Sequence, residues 1–180
     1  MVTASEAAAI LGFKAHPSST KKSVFRSKTG QTKPFKGNAF TRHGQLNEPV
    51  ACKRYEEVTG RILVKEDCGL LQHPHFPRLG GSPDGITICG RLIEVKCPAN
   101  RARIFPGKCP DYYNPQLQML MQIMDLDVAD FIQYSPASPF EPEIIDVTEV
   151  KRDDEFWNNI MLPGLLGFIE ELDEFLATSR

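Results

Sequence analysis

The sequence predicts an α/β (α+β) fold, a mixed central β-sheet flanked by helices. Three observations point there. Apolar residues recur at helical spacing in several segments, and β-branched runs bounded by Gly and Pro lie between them. The resulting order is helix, basic segment, helix, strands with a central hairpin, helix, strands, helix. A length of 180 residues, 41% of them hydrophobic and 24% charged, suits one domain spanning 1–180 with its own core.

Taken in order, Thr3-Ala4-Ser5-Glu6 ahead of Ala7 to Leu11 predicts a capped helix start. Thr3 or Ser5 is the cap, Glu6 complements the helix N-terminus and Gly12 ends the run. The amides of such a start also suit a phosphate. Residues 14–42 follow, with Lys14, Lys21, Lys22, Arg26, Lys28, Lys33, Lys36 and Arg42, and no acidic residue falls between positions 7 and 47. This stretch is read as a long, partly mobile basic loop with a short helical turn around Lys22 to Arg26. Outside it, 13 basic residues stand against 23 acidic ones, so a chain of net charge −2 carries a local basic arm. That asymmetry suits a polyanion partner such as nucleic acid.

A second helix is expected from Thr41 to Thr59. Leu46, Val50, Ala51, Tyr55 and Val58 form its stripe and Gly60 closes it. Pro49 then falls in the first turn or bends the helix, and Glu56 and Glu57 face solvent. Strands are expected at Ile62 to Val64 and Gly69 to Gln72. Ile86, Ile88, Leu92, Ile93 and Val95, interrupted by Gly90, predict two short strands joined by a tight turn near Cys89-Gly90-Arg91. Cys97-Pro98 stops the second strand. A further helix starts near Asn114-Pro115, with Leu117, Leu120, Met121 and Met124 buried. Strands follow at Asp127 to Tyr134 and, at an edge, Glu143 to Val147. The chain ends in a helical region, Asp153 to Ala177, broken or kinked at Pro163-Gly164. Its apolar stripe is Trp157, Ile160, Met161, Leu165, Phe168, Leu172, Phe175 and Leu176.

Composition excludes several classes. No apolar run approaches the ~20 residues of a membrane span, and the N-terminus lacks a signal-peptide pattern. Five cysteines without a CxxC do not make a disulfide framework, so a reducing, intracellular location is expected rather than secretion. The C-x4-H-x-H spacing from Cys68 to His75 matches no standard structural zinc pattern. These residues are read as reduced core cysteines and loop histidines.

The chemistry gathers at Gly80 to Pro98. Folding the hairpin at Gly90 sets Asp84 opposite position 94 or 95, which brings the Asp84 and Glu94 carboxylates close together. Alternation puts Glu94 and Lys96 on one face and Val95 on the other. Two neighbouring carboxylates repel unless a cation lies between them. Oxygen donors of this kind suit Mg²⁺ or Mn²⁺. The adjacent lysine can orient or deprotonate a water, or stabilise charge on a phosphate. Taken alone, such a D…ExK spacing is common by chance and fits a surface hairpin with an ordinary Glu–Lys pair better.

Ser82-Pro83-Asp84-Gly85 followed by Leu92-Ile93-Glu94-Val95-Lys96-Cys97-Pro98 resembles the central motif of the PD-(D/E)xK nucleases. More narrowly, it is similar to the phage lambda exonuclease group, the YqaJ-type viral recombinase family. HGQLNEPVACKRYEEVTG resembles that family's first catalytic helix, with Glu48 at its glutamate. Tyr113 and Gln116, in the Tyr112 to Met121 segment, match its last motif. The resemblance implies a restriction-endonuclease-like core and a metal-dependent exonuclease on double-stranded DNA ends, digesting 5′ to 3′ in viral or phage recombination and replication. It implies Mg²⁺ or Mn²⁺ held by Asp84, Glu94 and the carbonyl of Val95, with Glu48 at a second metal. Lys96 and Gln116 would act on the attacking water. DNA or phosphate contacts would come from Ser5, Ser82, Arg101 and Tyr113. A single-strand annealing partner and a monomer or homo-oligomer such as a trimer are further implications. One departure is the arginine that the family carries shortly before the TAS helix, since this chain begins too late to contain it. The competing expectations are an endonuclease or RNase, as in the related herpesvirus alkaline nucleases, and a degenerate DNA-binding module. An intact Asp84, Glu94 and Lys96 argues against degeneracy.

Overall fold

The strands form two sheets in the computed structural model, which describes residues 1–13, 16–33, 36–66 and 68–178. In the smaller sheet, β1 (Val2–Thr3) runs parallel to β4 (Leu79–Gly81), and β3 (Leu71–Gln72) is antiparallel to β4 on its other side. The larger sheet has the order β2–β5–β6–β7–β8, built from Leu63–Glu66, Gly85–Thr87, Leu92–Lys96, Val128–Ser135 and Ile144–Lys151. Strands β6 and β7 are parallel and the other neighbours antiparallel, so the sheet is mixed as expected. Glycines 80 and 81 end β4, and the chain crosses to β5 through Ser82-Pro83-Asp84.

Helices cover both faces. One is packed by α1 (Ala4–Ile10), α2 (Lys21–Lys28), α4 (Asn114–Met124) and the C-terminal helical region. Ala7, Val24, Leu117, Leu120, Met161, Leu165 and Phe168 meet Leu92, Ala129 and Phe131 there. The opposite face takes α3 (Ala39–Thr59), whose Ala51, Cys52 and Tyr55 pack on Ile93, Val95, Ile132 and Tyr134. Strands β6 and β7 are therefore buried on both sides, which explains their nearly continuous apolar runs.

Several expectations are corrected. The stretch read as a basic loop contains a full helix, α2, because Thr20 and Ser23 form a capping pair and Val24 is buried. Phe25 meets Phe168 and Phe175 edge-on at 6.2 and 5.3 Å. Lys14, expected in that loop, lies outside the described residues. Helix α3 starts earlier than expected, at Ala39, and Asn38 caps it by accepting from the Thr41 amide. Pro49 is therefore interior to the helix and withholds a donor from the carbonyl of residue 45. Leu46, Val50 and Val58, expected to be buried, are exposed, because only one narrow face of α3 meets the sheet. Glu56, expected in solvent, accepts from the Leu63 amide at 2.8 Å and ties α3 to β2.

The C-terminal region runs Asp154–Phe156, Trp157–Met161 and Leu162–Thr178, and its irregularity precedes Pro163. The middle segment is π-helical. A widened turn accommodates a proline that could neither donate its own hydrogen bond nor avoid the preceding turn's carbonyl. Gly164 is required by packing, because a Cβ there would stand 2.5 Å from Leu11 Cδ2. Ile160 and Leu176, expected in the stripe, are largely exposed. The edge strand β8 is longer than expected and bonds to β7 along eight residue pairs.

Asp130 lies inside β7 at 1% exposure. Its carboxylate accepts from Tyr55 Oη at 2.6 Å, from Arg61 at 2.9 Å and from Arg91 at 2.9 and 2.7 Å. Burial and this bond push the Tyr55 phenol well above its ordinary range. The network joins α3, the turn of the β5–β6 hairpin at Arg91, and β7. Asp130→Ala would leave buried donors without an acceptor, so urea unfolding should show a loss of roughly 3 kcal/mol or more. A loss below about 1 kcal/mol would show the network to be dispensable.

Candidate active site

The β5–β6 hairpin turns at Gly90, which has φ +76, as the sequence required. Its register pairs Gly85 with Ile93 and so brings Asp84 level with Glu94. The Val95 amide donates to Asp84 Oδ2 at 2.7 Å, which fixes that carboxylate at the mouth of the hairpin. Val95 points to the α3 side, whereas Glu94 meets Gln116 on α4. The alternation expected along β6 holds.

Glu94 is 1% exposed. Its Oε1 accepts from Lys96 Nζ at 2.5 Å and from Gln116 Nε2 at 2.6 Å. Its Oε2 is buried without a hydrogen-bond partner. Burial drives the Glu94 carboxyl up to about 7; Lys96 pulls it down, and the charges of Asp84 and Glu48 add to the rise. Burial works against the Lys96 ammonium as well. The fields of Glu94 and Asp84 outweigh it and hold Lys96 above ordinary lysine. Lys96 is therefore a retained cation, and its Nζ lies 5.1 Å from the centre of the Tyr113 ring.

Glu48, on α3, acts on the same region from the other face. Cys97 is pushed up to about 12 by burial, reinforced by Glu48 and Asp84. Carboxylates from three elements thus converge electrostatically on one strand end. Among the described residues, no three His, Cys, Asp or Glu side chains form a ready metal cage. Mg²⁺ is commonly held by one or two carboxylates with waters and substrate phosphates. The orphaned Glu94 oxygen and the hard oxygen donors fit such an ion.

Ser5 and Ser82, distant in sequence, line one cavity of about 150 Å³ with Thr3, Ala4, Gly81 and Gln116. Gly81 makes this possible: a Cβ there would stand 2.6 Å from Leu120 Cδ2 and 2.9 Å from Ala4 Cβ. Glycine lets α1, β4 and α4 approach closely enough to place both serines beside Gln116. Glu6 Oε2 accepts from the Thr3 amide and pairs with Lys28, each at 2.8 Å. This joins the cavity rim to α2.

Arg101 is placed differently from the other expected residues. Its guanidinium donates to Ser135 Oγ at 3.2 Å, to the Pro136 carbonyl at 3.0 Å and to the Pro142 carbonyl, and it pairs with Glu141 at 3.2 Å. These contacts brace the β7–β8 connection. The Asp130 network was missed in the sequence, although an aspartate within an apolar strand was a usable signal.

A family model describing the YqaJ-like viral recombinase domain matches residues 1–127. The chain belongs to the YqaJ-like viral recombinase family. Its fold matches that of an alkaline exonuclease from Laribacter hongkongensis, LHK-Exo, with TM-score 0.80 and 30% identity over 99% of this chain and 92% of that one. A phage-related exonuclease from Haemophilus somnus 129PT shares the fold at 18% identity and TM-score 0.77, covering 99% and 96% of the two chains. An uncharacterised protein of Acanthamoeba polyphaga mimivirus, R354, is 32% identical over 126 residues. That match covers 61% of this chain, which spans about a quarter, 23%, of the mimiviral protein. No helix among the described residues is long and apolar enough to cross a membrane.

Lys96→Ala removes the cation beside Glu94 Oε1 without removing a carboxylate. DNA cleavage should fall by about 10²-fold or more in single-turnover kinetics, while duplex binding is retained. Near-normal turnover would reduce Lys96 to a structural ion-pair partner.

Proposed function

We propose that the protein is a divalent-metal-dependent exodeoxyribonuclease that digests double-stranded DNA from 5′ ends toward 3′. The observation that carries this reading is the buried Glu94 carboxylate, with one oxygen engaged by Lys96 and Gln116, the other unpartnered, and the whole group in the field of Asp84. The family relationship and the likeness to an alkaline exonuclease support it. LHK-Exo has itself been crystallised with dAMP, a 5′-nucleotide.

Asp84, Glu94 and the carbonyl of Val95 would hold Mg²⁺ or Mn²⁺, with Glu48 contributing from α3. When bound, such an ion polarises the phosphate and lowers the pKa of a coordinated water. The chain's own groups do the positioning. Lys96 places a fixed positive charge where negative charge grows on the phosphate. The Gln116 amide, already a donor to Glu94, is placed to orient the attacking water. Tyr113 backs Lys96 and limits where its ammonium can go.

The small cavity lined by Ser5 and Ser82 favours an exonuclease over an endonuclease. It opens beside Gln116 and offers hydroxyl donors to one terminal phosphate rather than a through-passage for duplex. Linear duplex with 5′-phosphates should be digested faster than the same duplex with 5′-hydroxyls, and closed circles should survive. Excess EDTA should abolish digestion, and Ca²⁺ should support binding without good turnover. Ser5→Ala with Ser82→Ala should narrow the 5′-phosphate preference. Equal digestion of both ends together with cleavage of closed circles would favour an endonuclease, and full activity in EDTA would overturn the metal mechanism.

A further inference from the structure

A groove of about 680 Å³ adjoins the catalytic strand end. It shares Tyr113 with the site and is lined further by His16, Asn38, Phe40, Asn100 and Arg103. None of the described residues that line it is acidic. Phe40, on the first turn of α3, is 69% exposed. An aromatic ring this exposed is costly in water and offers an open face for stacking. Arg103 supplies a cation to the same groove, and Asn38 and Asn100 border it.

Arg103 is held in place through its neighbour. The turn Arg101–Arg103 is capped by Asn100, whose side chain accepts from the Ala102 amide at 3.0 Å. Arg101, at the start of that turn, is fixed by Ser135, Pro136, Pro142 and Glu141 on the β7–β8 connection. Arg101 is therefore a positioning residue, and Arg103 is the arginine that lines the groove.

An exposed ring, a cation and amides in a groove with no carboxylate among its described lining residues match the chemistry of unpaired nucleic acid. Interior bases of a duplex are stacked on both faces, whereas an unpaired base leaves a face open to lie on Phe40. We propose that this groove is a subsite for an unpaired nucleotide of the bound DNA, its base stacked on Phe40 and its phosphate held by Arg103. The inference rests on the nuclease reading above and adds where the frayed end of the substrate goes. Two sources share this chemistry, namely the strand being digested and the strand left behind.

The test uses the full chain in Ca²⁺ with blunt duplexes and duplexes bearing a short 5′ or 3′ overhang, each overhang carrying 2-aminopurine. Wild type should quench the fluorophore in one overhang, which identifies the strand, and should bind that duplex about tenfold tighter than the blunt one. Phe40→Ala should remove the quenching and most of the tenfold advantage while leaving blunt-duplex affinity unchanged. Phe40→Trp should keep both. Arg103→Ala should reduce the salt dependence of overhang binding by roughly one released counterion. A wild-type ratio of overhang to blunt affinity in Phe40→Ala would overturn the subsite. If the wild-type protein cleaves duplex in Mg²⁺, that failure is confined to the groove; if it neither binds nor cleaves DNA, the nuclease reading falls with it.

Discussion

The Glu94 carboxylate is the constraint on which the site depends. A buried carboxylate is costly unless paired and hydrogen-bonded. This one is only half compensated, with Lys96 and Gln116 at one oxygen and no partner at the other. The cost is tolerable because β6 sits at the centre of a sheet covered on both faces. Leu92 and Ile93 anchor the strand to opposite layers before the chain reaches Glu94. The scaffold supplies the rigidity, and the site carries the imperfectly satisfied group.

The second constraint is close approach at Gly81. The turn from β4 to β5 carries both Ser82 and Asp84, so a single short segment serves the Ser5–Ser82 cavity and the carboxylate pair. Helix α4 serves both as well. Gln116 lines the cavity and bonds to Glu94, and Tyr113, just ahead of it, lies against Lys96. Altering either element would disturb the cavity and the carboxylate pair together.

Much of this was legible in the sequence because it is local. The hairpin follows from Gly90 and the β-branched runs, which set Asp84 opposite position 94 or 95, and the register makes it Glu94. The mixed sheet follows from the order of patterns. Helix α2 was harder to read, because only Val24 and Phe25 mark its buried face and a lysine-rich surface hides it. Arg101 and Arg103 could not be told apart, because which of them meets the β7–β8 connection is a tertiary fact. Leu46 and Val50 misled for the complementary reason: helical spacing marks a face but does not say that anything covers it. The meeting of Ser5 with Ser82 depends on a missing Cβ at Gly81, and its chemical sense came from family resemblance rather than from pattern.

The central claim is that the unpartnered Glu94 oxygen belongs to a divalent-metal site. Mn²⁺ titration of the DNA-free protein, followed by electron paramagnetic resonance, tests it most directly. Glu94→Gln keeps the shape of the side chain and removes its charge. The account predicts saturable Mn²⁺ binding to the wild-type chain and at least about tenfold weaker binding to Glu94→Gln, with both proteins folded by circular dichroism. Equal Mn²⁺ binding by the two would contradict it.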